Sequence, residues 1–407
     1  MTSEIVGIVG AGTMGAGIAQ LALEAGHEVV LFDVDEEAIG RGRVRIREGL
    51  GRRAAKLDLD ANTIDDWADG RYDRLRDGHS LDALAAEADV VIEAALEDLG
   101  LKRTLFRTLD SAAAPEAILA TNTSALSIAA IAESTTHPER VVGLHFFNPA
   151  PVMPLVEVVS SSATSPAIAA RATALVVSWG REPVAVVDSP GFIVNRVNRP
   201  FTLEALAALE KGEAGIASID EEVRAAGYPM GPFELMDLVG IDVNLAAARG
   251  IYEGFDEAGR FRPSREQEWL VEQNLLGRKT GRGFYEYVDS KKGEPFPVYL
   301  ARDEEEVRVL RPEEDGPAAA EVARRIEVAI LAEAWRALGD GIATETDIDL
   351  AMRLGAGHRV GPFERTTELG GPAALVAAID AIPLPGPRFE MPPLLLETVA
   401  TTRPSAG

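Results

Sequence analysis

The stretch Ile5-Val6-Gly7-Ile8-Val9-Gly10-Ala11-Gly12-Thr13-Met14-Gly15, read together with Asp33, decides the fold of this chain. A short β-branched run feeds directly into G-x-G-x-x-G, and an alanine-rich helical pattern follows over residues 16–25. Asp33 closes a second apolar run, 29–32, and stands 23 residues after Gly10. Glycines in this order let the backbone turn sharply and approach a pyrophosphate, which the positive end of the helix then holds. An acid at the end of the second strand accepts hydrogen bonds from the adenosine ribose. Gly10, Gly12, Thr13, Met14, Gly15 and Asp33 are therefore the expected dinucleotide contacts. The following Val34-Asp35-Glu36-Glu37 brings acids and no arginine, so a 2′-phosphate meets like charge and NAD is expected over NADP.

Outward from this loop the first half alternates strands and helices. Ile5–Val9, 29–32, Val90–Glu93, 118–120, 141–145 and 184–187 read as buried strands, with helical patterns such as Leu99–Ala112 between them. Such alternation predicts an α/β Rossmann domain, a mostly parallel doubly wound sheet, over residues 1–188. After Ser189-Pro190-Gly191 the chain turns helical and repeats itself. Glu204-Ala205, Ala208-Leu209, Gly212, Ala214 and Ile219-Asp220 recur 129 residues later as Glu333-Ala334, Ala337-Leu338, Gly341, Ala343 and Ile348-Asp349. Gly231-Pro232-Phe233-Glu234 returns as Gly361-Pro362-Phe363-Glu364 after one extra residue. Two all-α repeat domains are expected, 189–288 and 318–401, separated by a polar linker over 289–317.

At 407 residues the chain needs two or three domains. It has no cysteine, which excludes disulfides, thiolate metal sites and a cysteine nucleophile, and fits a cytoplasmic protein. The N-terminal residues lack the pattern of a signal peptide, and no apolar run is long enough to span a bilayer. A net charge of −25 argues against nucleic acid and anionic membranes as partners. One cluster breaks the acidic background. Between Arg41 and Lys56 there are seven basic residues and one acid, Glu48. The spacing of Arg41, Arg45, Arg52 and Lys56 predicts one face of a helix.

Further motifs are Thr121-Asn122-Thr123-Ser124, Gly143-Leu144-His145-Phe146-Phe147-Asn148-Pro149, Leu155-Val156-Glu157-Val158-Val159 and Pro190-Gly191-Phe192-Ile193-Val194-Asn195-Arg196. With Tyr228–Glu234 and Gly277–Tyr285, they make residues 4 to 287 resemble the 3-hydroxyacyl-CoA dehydrogenase family. The second repeat resembles the extra helical domain of some members. The resemblance implies reversible, NAD-dependent oxidation of an L-3-hydroxyacyl-CoA, short-chain or 3-hydroxyadipyl, in fatty-acid or aromatic catabolism. It puts the general base on His145, its carboxylate partner on Glu157, and substrate contacts on Ser124 and Asn195. Glu97, Lys102, Asn122, Asn148 and Lys279 fall on positions near the cofactor, and Lys56, with Arg52 beside it, on the CoA-binding side.

The residue types suit the reaction. An imidazole titrates near neutrality and can take a hydroxyl proton. A carboxylate on its other nitrogen fixes the tautomer, and a hydroxyl and an amide hold the oxygen as it becomes a ketone. The other histidines, His27, His79, His137 and His358, read as structural or surface residues. One departure stands out: Gly49 occupies a position where the family often has a serine near the acyl-CoA. Two other readings share the motifs, a dehydrogenase of a free hydroxy acid such as gulonate and a non-enzymatic crystallin-like relative. Monomer and homodimer are both open, and the second helical copy is expected to supply a contact that single-copy members make by dimerising.

Overall fold

In the computed structural model, residues 4–57, 61–296, 299–302, 306–309, 316–383 and 386–402 are described. The chain divides into two units, Met1–Phe192 and Ile193–Gly407. The first is built on an eight-stranded sheet: β1 (Ile5–Val9), β2 (Glu28–Phe32), β3 (Leu75–Asp77), β4 (Val90–Glu93), β5 (Ile118–Thr121), β6 (Val141–Phe146), β7 (Leu155–Ser160) and β8 (Glu182–Val187). The spatial order is β3-β2-β1-β4-β5-β6-β7-β8. Every pairing is parallel except β6 with β7. The central strands are Val/Ile-rich runs buried on both faces, as a parallel sheet covered by helices requires.

Helices α1 (Thr13–Glu24), α2 (Glu36–Ala54), α3 (Ala61–Tyr72), α4 (Leu81–Glu87), α5 (Leu99–Ala112), α6 (Ile128–Ala132) and α7 (Pro166–Ser178) complete this unit. Strand order reverses between β1 and β4, and the crevice at such a switch point is where open α/β sheets bind nucleotides. The short β3, Leu-Arg-Asp, escaped the sequence reading because it carries no apolar run. It pairs only at the sheet edge.

The second unit begins with α8 (Val194–Val197), α9 (Arg199–Glu210), α10 (Ile216–Ala225) and α11 (Pro232–Val239). The repeat is visible in its local chemistry. Asp220 accepts from the backbone N–H groups of Phe233 and Glu234, and Asp349 from those of Phe363 and Glu364. Each carboxylate caps a helix whose N-cap is a glycine without a side chain. The extra residue of the second copy lengthens the helix Glu345–Gly355, which has 11 residues against 10 in α10, and the turn before His358 keeps its length. That turn ends, as in the first copy, on a positive-φ glycine, Gly357 or Gly227.

Both helical copies lie in one unit, and buried ion pairs join them. Glu204 of the first copy accepts from Arg325 and Arg388 of the second. Glu333, its counterpart, receives Arg196 at 2.9 Å. Arg260 adds a 3.2 Å ion pair to Glu333, without hydrogen-bond alignment. The exchange is reciprocal, as in a two-fold symmetric contact. His358 packs edge-on against Tyr228 and contacts Asn198 through Nε2 at 3.1 Å. Burial pushes its imidazole down to about 4, so it is neutral packing. Within and beside the expected linker, two antiparallel pairings stand among the described residues. Tyr285–Val288 pairs antiparallel with Lys291–Pro295, and Tyr299–Arg302 with Glu306–Val309.

Candidate active site

The glycine loop leaves β1 at Gly10, whose φ of 103° places it in the left-handed region; a Cβ there would lie 2.7 Å from the Ala94 carbonyl oxygen. A Cβ at Gly15 would lie 1.8 Å from the Gly10 oxygen, so α1 can start this close to the strand only with glycine. Gly12 instead faces open space. As the N-cap of α1 it offers no side-chain cap, and the first turn holds no acid. Unsatisfied N–H groups at an open helix start are what a pyrophosphate needs, so the residues fit a dinucleotide. The Asp33 carboxylate is fixed beside the loop, accepting from Ala11 N at 2.8 Å and Asp35 N at 3.1 Å. Arg41 reaches back toward this end, but it is spent on Asp35 and Glu37. Among the described residues no unpaired cation stands there to receive a 2′-phosphate. Catalytic efficiency is therefore expected to favour NADH over NADPH by at least about tenfold. Steady-state comparison of the two cofactors checks this. Asp33→Ala should narrow the gap mainly by weakening NADH, and equal efficiencies in the parent enzyme would contradict the assignment.

The antiparallel pairing of β6 with β7 sets His145 directly opposite Glu157. Their side chains meet at 2.6 Å, Nδ1 to Oε2, with the histidine 6% exposed and the glutamate fully buried. Phe147 and Phe192 pack on the imidazole at ring-centroid distances of 4.5 and 5.7 Å. Because Nδ1 is engaged by the carboxylate, Nε2 is the nitrogen left for chemistry. Asn122 steadies the same strand from β5, its Oδ1 accepting from Phe146 N at 2.9 Å.

Ser124 and Glu97 meet in the loops after β5 and β4. Glu97 Oε1 accepts from Thr123 Oγ1 at 2.6 Å, Ser124 N at 2.9 Å and Ser124 Oγ at 3.3 Å. Lys102, expected near the cofactor, is 1% exposed and clamped between carboxylates. Its Nζ lies 2.7 and 2.9 Å from the two oxygens of Glu93 and 3.4 Å from Glu97. These pairs tie α5 to the loops after β4. Glu93 was missed by the sequence reading. It is fully buried at the end of β4, and also accepts from Ala95 N and Thr121 Oγ1. An acid closing an otherwise apolar strand was the available signal. Asn148 is exposed after β6. Asn195, in α8, and Lys279 belong to the second unit, where Lys279 pairs with Asp242 at 2.5 Å.

The basic cluster lies on α2, but Lys56 falls in the turn after the helix rather than on it. Arg45, Arg52, Arg53 and Lys56 line an open groove of about 440 Å³ with Gln20, Gly49 and Pro151. Arg52 reaches Glu48 at 3.5 Å and Arg53 reaches Glu24 at 3.6 Å. Arg45 and Lys56 have no ion pair among the described residues. Arg41 does not join them, and Arg53 was not singled out from sequence. The structure also explains Gly49. A Cβ there would sit 1.9 Å from Gln20 Oε1, so the glutamine fills the space a serine would need.

A glycine turn at the sheet's switch point and a buried His–Glu pair two strands from β4 put the first unit in the class of NAD-dependent dehydrogenases. The profile of the 3-hydroxyacyl-CoA dehydrogenase NAD-binding domain matches residues 5–189. That of the C-terminal domain matches twice, over 191–287 and 322–404. The chain belongs to the 3-hydroxyacyl-CoA dehydrogenase family, and its cofactor is NAD. It is 38% identical to 3-hydroxyadipyl-CoA dehydrogenase of Escherichia coli K12, over 90% of this chain and 91% of that one. It is 42% identical to mitochondrial hydroxyacyl-coenzyme A dehydrogenase of Rattus norvegicus, over 69% of this chain and 90% of the relative. Among solved structures, 3-hydroxybutyryl-CoA dehydrogenase of E. coli K12 superposes with a TM-score of 0.84 at 33% identity, covering 98% of this chain and 99% of the other. No helix among the described residues is long and apolar enough to cross a membrane.

Proposed function

We propose that this protein oxidises L-3-hydroxyacyl-CoA thioesters, short-chain or 3-hydroxyadipyl, to 3-ketoacyl-CoA, with His145 as the base. The observation that carries the reading is the 2.6 Å contact between His145 Nδ1 and Glu157. With Nδ1–H donated to the carboxylate, the Nε2 lone pair takes the substrate's hydroxyl proton, and the buried Glu157 stabilises the imidazolium that results. Bound NAD supplies the acceptor for the hydride that leaves the carbinol carbon. Ser124 and Asn195 hydrogen-bond the substrate oxygen as it changes from alcohol to ketone. Glu97 holds the Ser124 backbone and hydroxyl, so the loop is positioned before substrate arrives. Gly10, Gly12, Thr13, Met14, Gly15 and Asp33 hold the nucleotide, with Asn122 and Asn148 near its reactive end. Residues 1–188 are the nucleotide-binding domain of this reading, followed by the helical copies 189–288 and 318–401.

The groove beside α2 favours a CoA thioester over a free hydroxy acid. Four cations against one lining acid, Glu24, in a chain of net charge −25 suit a nucleotide carrying several phosphate charges. NADH oxidation with acetoacetyl-CoA, free acetoacetate and the keto form of gulonate as parallel substrates tests the reading; turnover only with the free acids would overturn it. Replacing Arg52 and Lys56 by Ala should raise KM for acetoacetyl-CoA several-fold and weaken its salt dependence. A pantetheine-truncated substrate should change little. An unmoved KM for the full thioester would make the groove ordinary surface.

A further inference from the structure

Among the described residues of the second unit, the buried cation Arg199 has no counter-ion. Arg196 is committed to Glu333 and Asp340, and Arg325 to Glu204 and Glu213. Arg199 opens α9 and is 5% exposed, yet no hydrogen bond or ion pair reaches its guanidinium among the described residues, and its Nε is wholly enclosed. Burial alone pulls its acidity toward about 10, with no carboxylate acting against that shift. A guanidinium buried this far without a partner is expensive, and buried charges are normally paired.

We infer that Arg199 receives the terminal carboxylate of a dicarboxylic 3-hydroxyacyl-CoA, so that this enzyme prefers an acyl chain ending in a second acid. The inference rests on the dehydrogenase reading above, in which Asn195 holds the substrate's reacting oxygen. Arg199 stands four residues after Asn195. Asn198 between α8 and α9 has φ −85° and ψ −3°, so the two helices run on with little interruption. Residues four apart in such a run share a face and are separated by a rise of about 6 Å. In a six-carbon diacid, three carbon–carbon bonds separate the hydroxyl-bearing carbon from the far carboxyl carbon. Adding a charge-assisted hydrogen bond of about 2.8 Å gives a span of the same order. A guanidinium also matches a carboxylate in two-point geometry. Lys279 is the less suitable cation, being 43% exposed and already paired with Asp242. An acyl chain ending in methyl would leave Arg199 enclosed and unpaired, and sites built around a polar partner reject analogues that lack it.

The test compares kcat/KM of the full-length enzyme for 3-hydroxyadipyl-CoA, its terminal methyl ester and 3-hydroxyhexanoyl-CoA. The acid is expected to exceed both neutral substrates by about 10- to 100-fold, carried mainly by KM. In Arg199→Met the advantage should vanish through loss on the acid, with 3-hydroxyhexanoyl-CoA within about threefold of its parent value. Arg199→Lys should recover part of it. Wild-type enzyme that oxidises acid and ester equally would overturn the inference while leaving the dehydrogenase reading intact, and this comparison needs no variant to fold. A folded Arg199→Met that loses all three substrates alike would also overturn it, marking Arg199 as structural. Failure of the wild type with every CoA thioester would instead remove the underlying reaction.

Discussion

His145→Gln is expected to lower turnover by about 10² to 10⁴, the usual worth of a positioned acid–base group, while NADH still binds. That range corresponds to about 3 to 5.5 kcal/mol of barrier. Glutamine keeps the volume near Phe147 and Phe192 and can still reach Glu157, so the core of β6 and β7 stays filled. It cannot accept a proton at neutral pH. Stopped-flow reduction of acetoacetyl-CoA measures the loss, and NADH fluorescence titration shows whether the nucleotide site is intact. Glu157→Gln separates orientation from charge. The amide oxygen can still accept from Nδ1–H, so the ring stays in place, but the imidazolium formed during oxidation loses its buried counter-charge. Turnover should therefore fall. Near-normal turnover in His145→Gln would remove the mechanism altogether.

The glycine loop and the His–Glu pair were legible in the sequence for the same reason. Each is fixed by local geometry: Gly10 and Gly15 by contacts a Cβ would violate, and His145 and Glu157 by facing positions on adjacent strands. Asp33 was legible because a strand end and a glycine turn set its place. The clamping of Lys102 by Glu93 was not legible, since its position in the chain does not show that it is buried. Gly49 looked like a missing contact until Gln20, from another helix, was seen to occupy the space. The basic face of α2 was half legible. Helical spacing placed the arginines and pairs Arg41 with Glu37 and Arg52 with Glu48, but the acids that answer Arg43, Arg47 and Arg53 (Asp77, Asp69 and Glu24) come from other elements. The repeat showed in the pattern of residues, whereas its ion pairs did not, because Arg196 and Glu333 are 137 residues apart.

Those long-range pairs carry the second large effect. Glu333 is 1% exposed and answers Arg196, Arg260 and Arg336, while Glu204 answers Arg325 and Arg388. Removing one carboxylate leaves two or three guanidinium groups without it in a medium that solvates them poorly. Breaking a buried pair from one side typically costs about 3–5 kcal/mol, so Glu333→Ala should unfold the second unit at markedly lower denaturant. Changing both sides at once, Glu333→Leu with Arg196→Met, should recover much of that loss, because apolar replacements of a buried pair are often neutral. Deleting the second copy before Ala318 is the stronger perturbation. It exposes Glu204, Tyr228 and Arg196 together and removes every partner the second copy supplies. We propose that the copy provides within one chain the contact that a symmetric dimer would make, since the Glu–Arg exchange is reciprocal. The truncated protein is then expected to aggregate or to form a dimer, read by light scattering coupled to size exclusion. In such a dimer Glu204 of each chain can take Arg196 of its partner, because Arg196 stands at the repeat position of Arg325. A truncated chain that stayed monomeric, stable and fully active would show that the second copy has some other purpose.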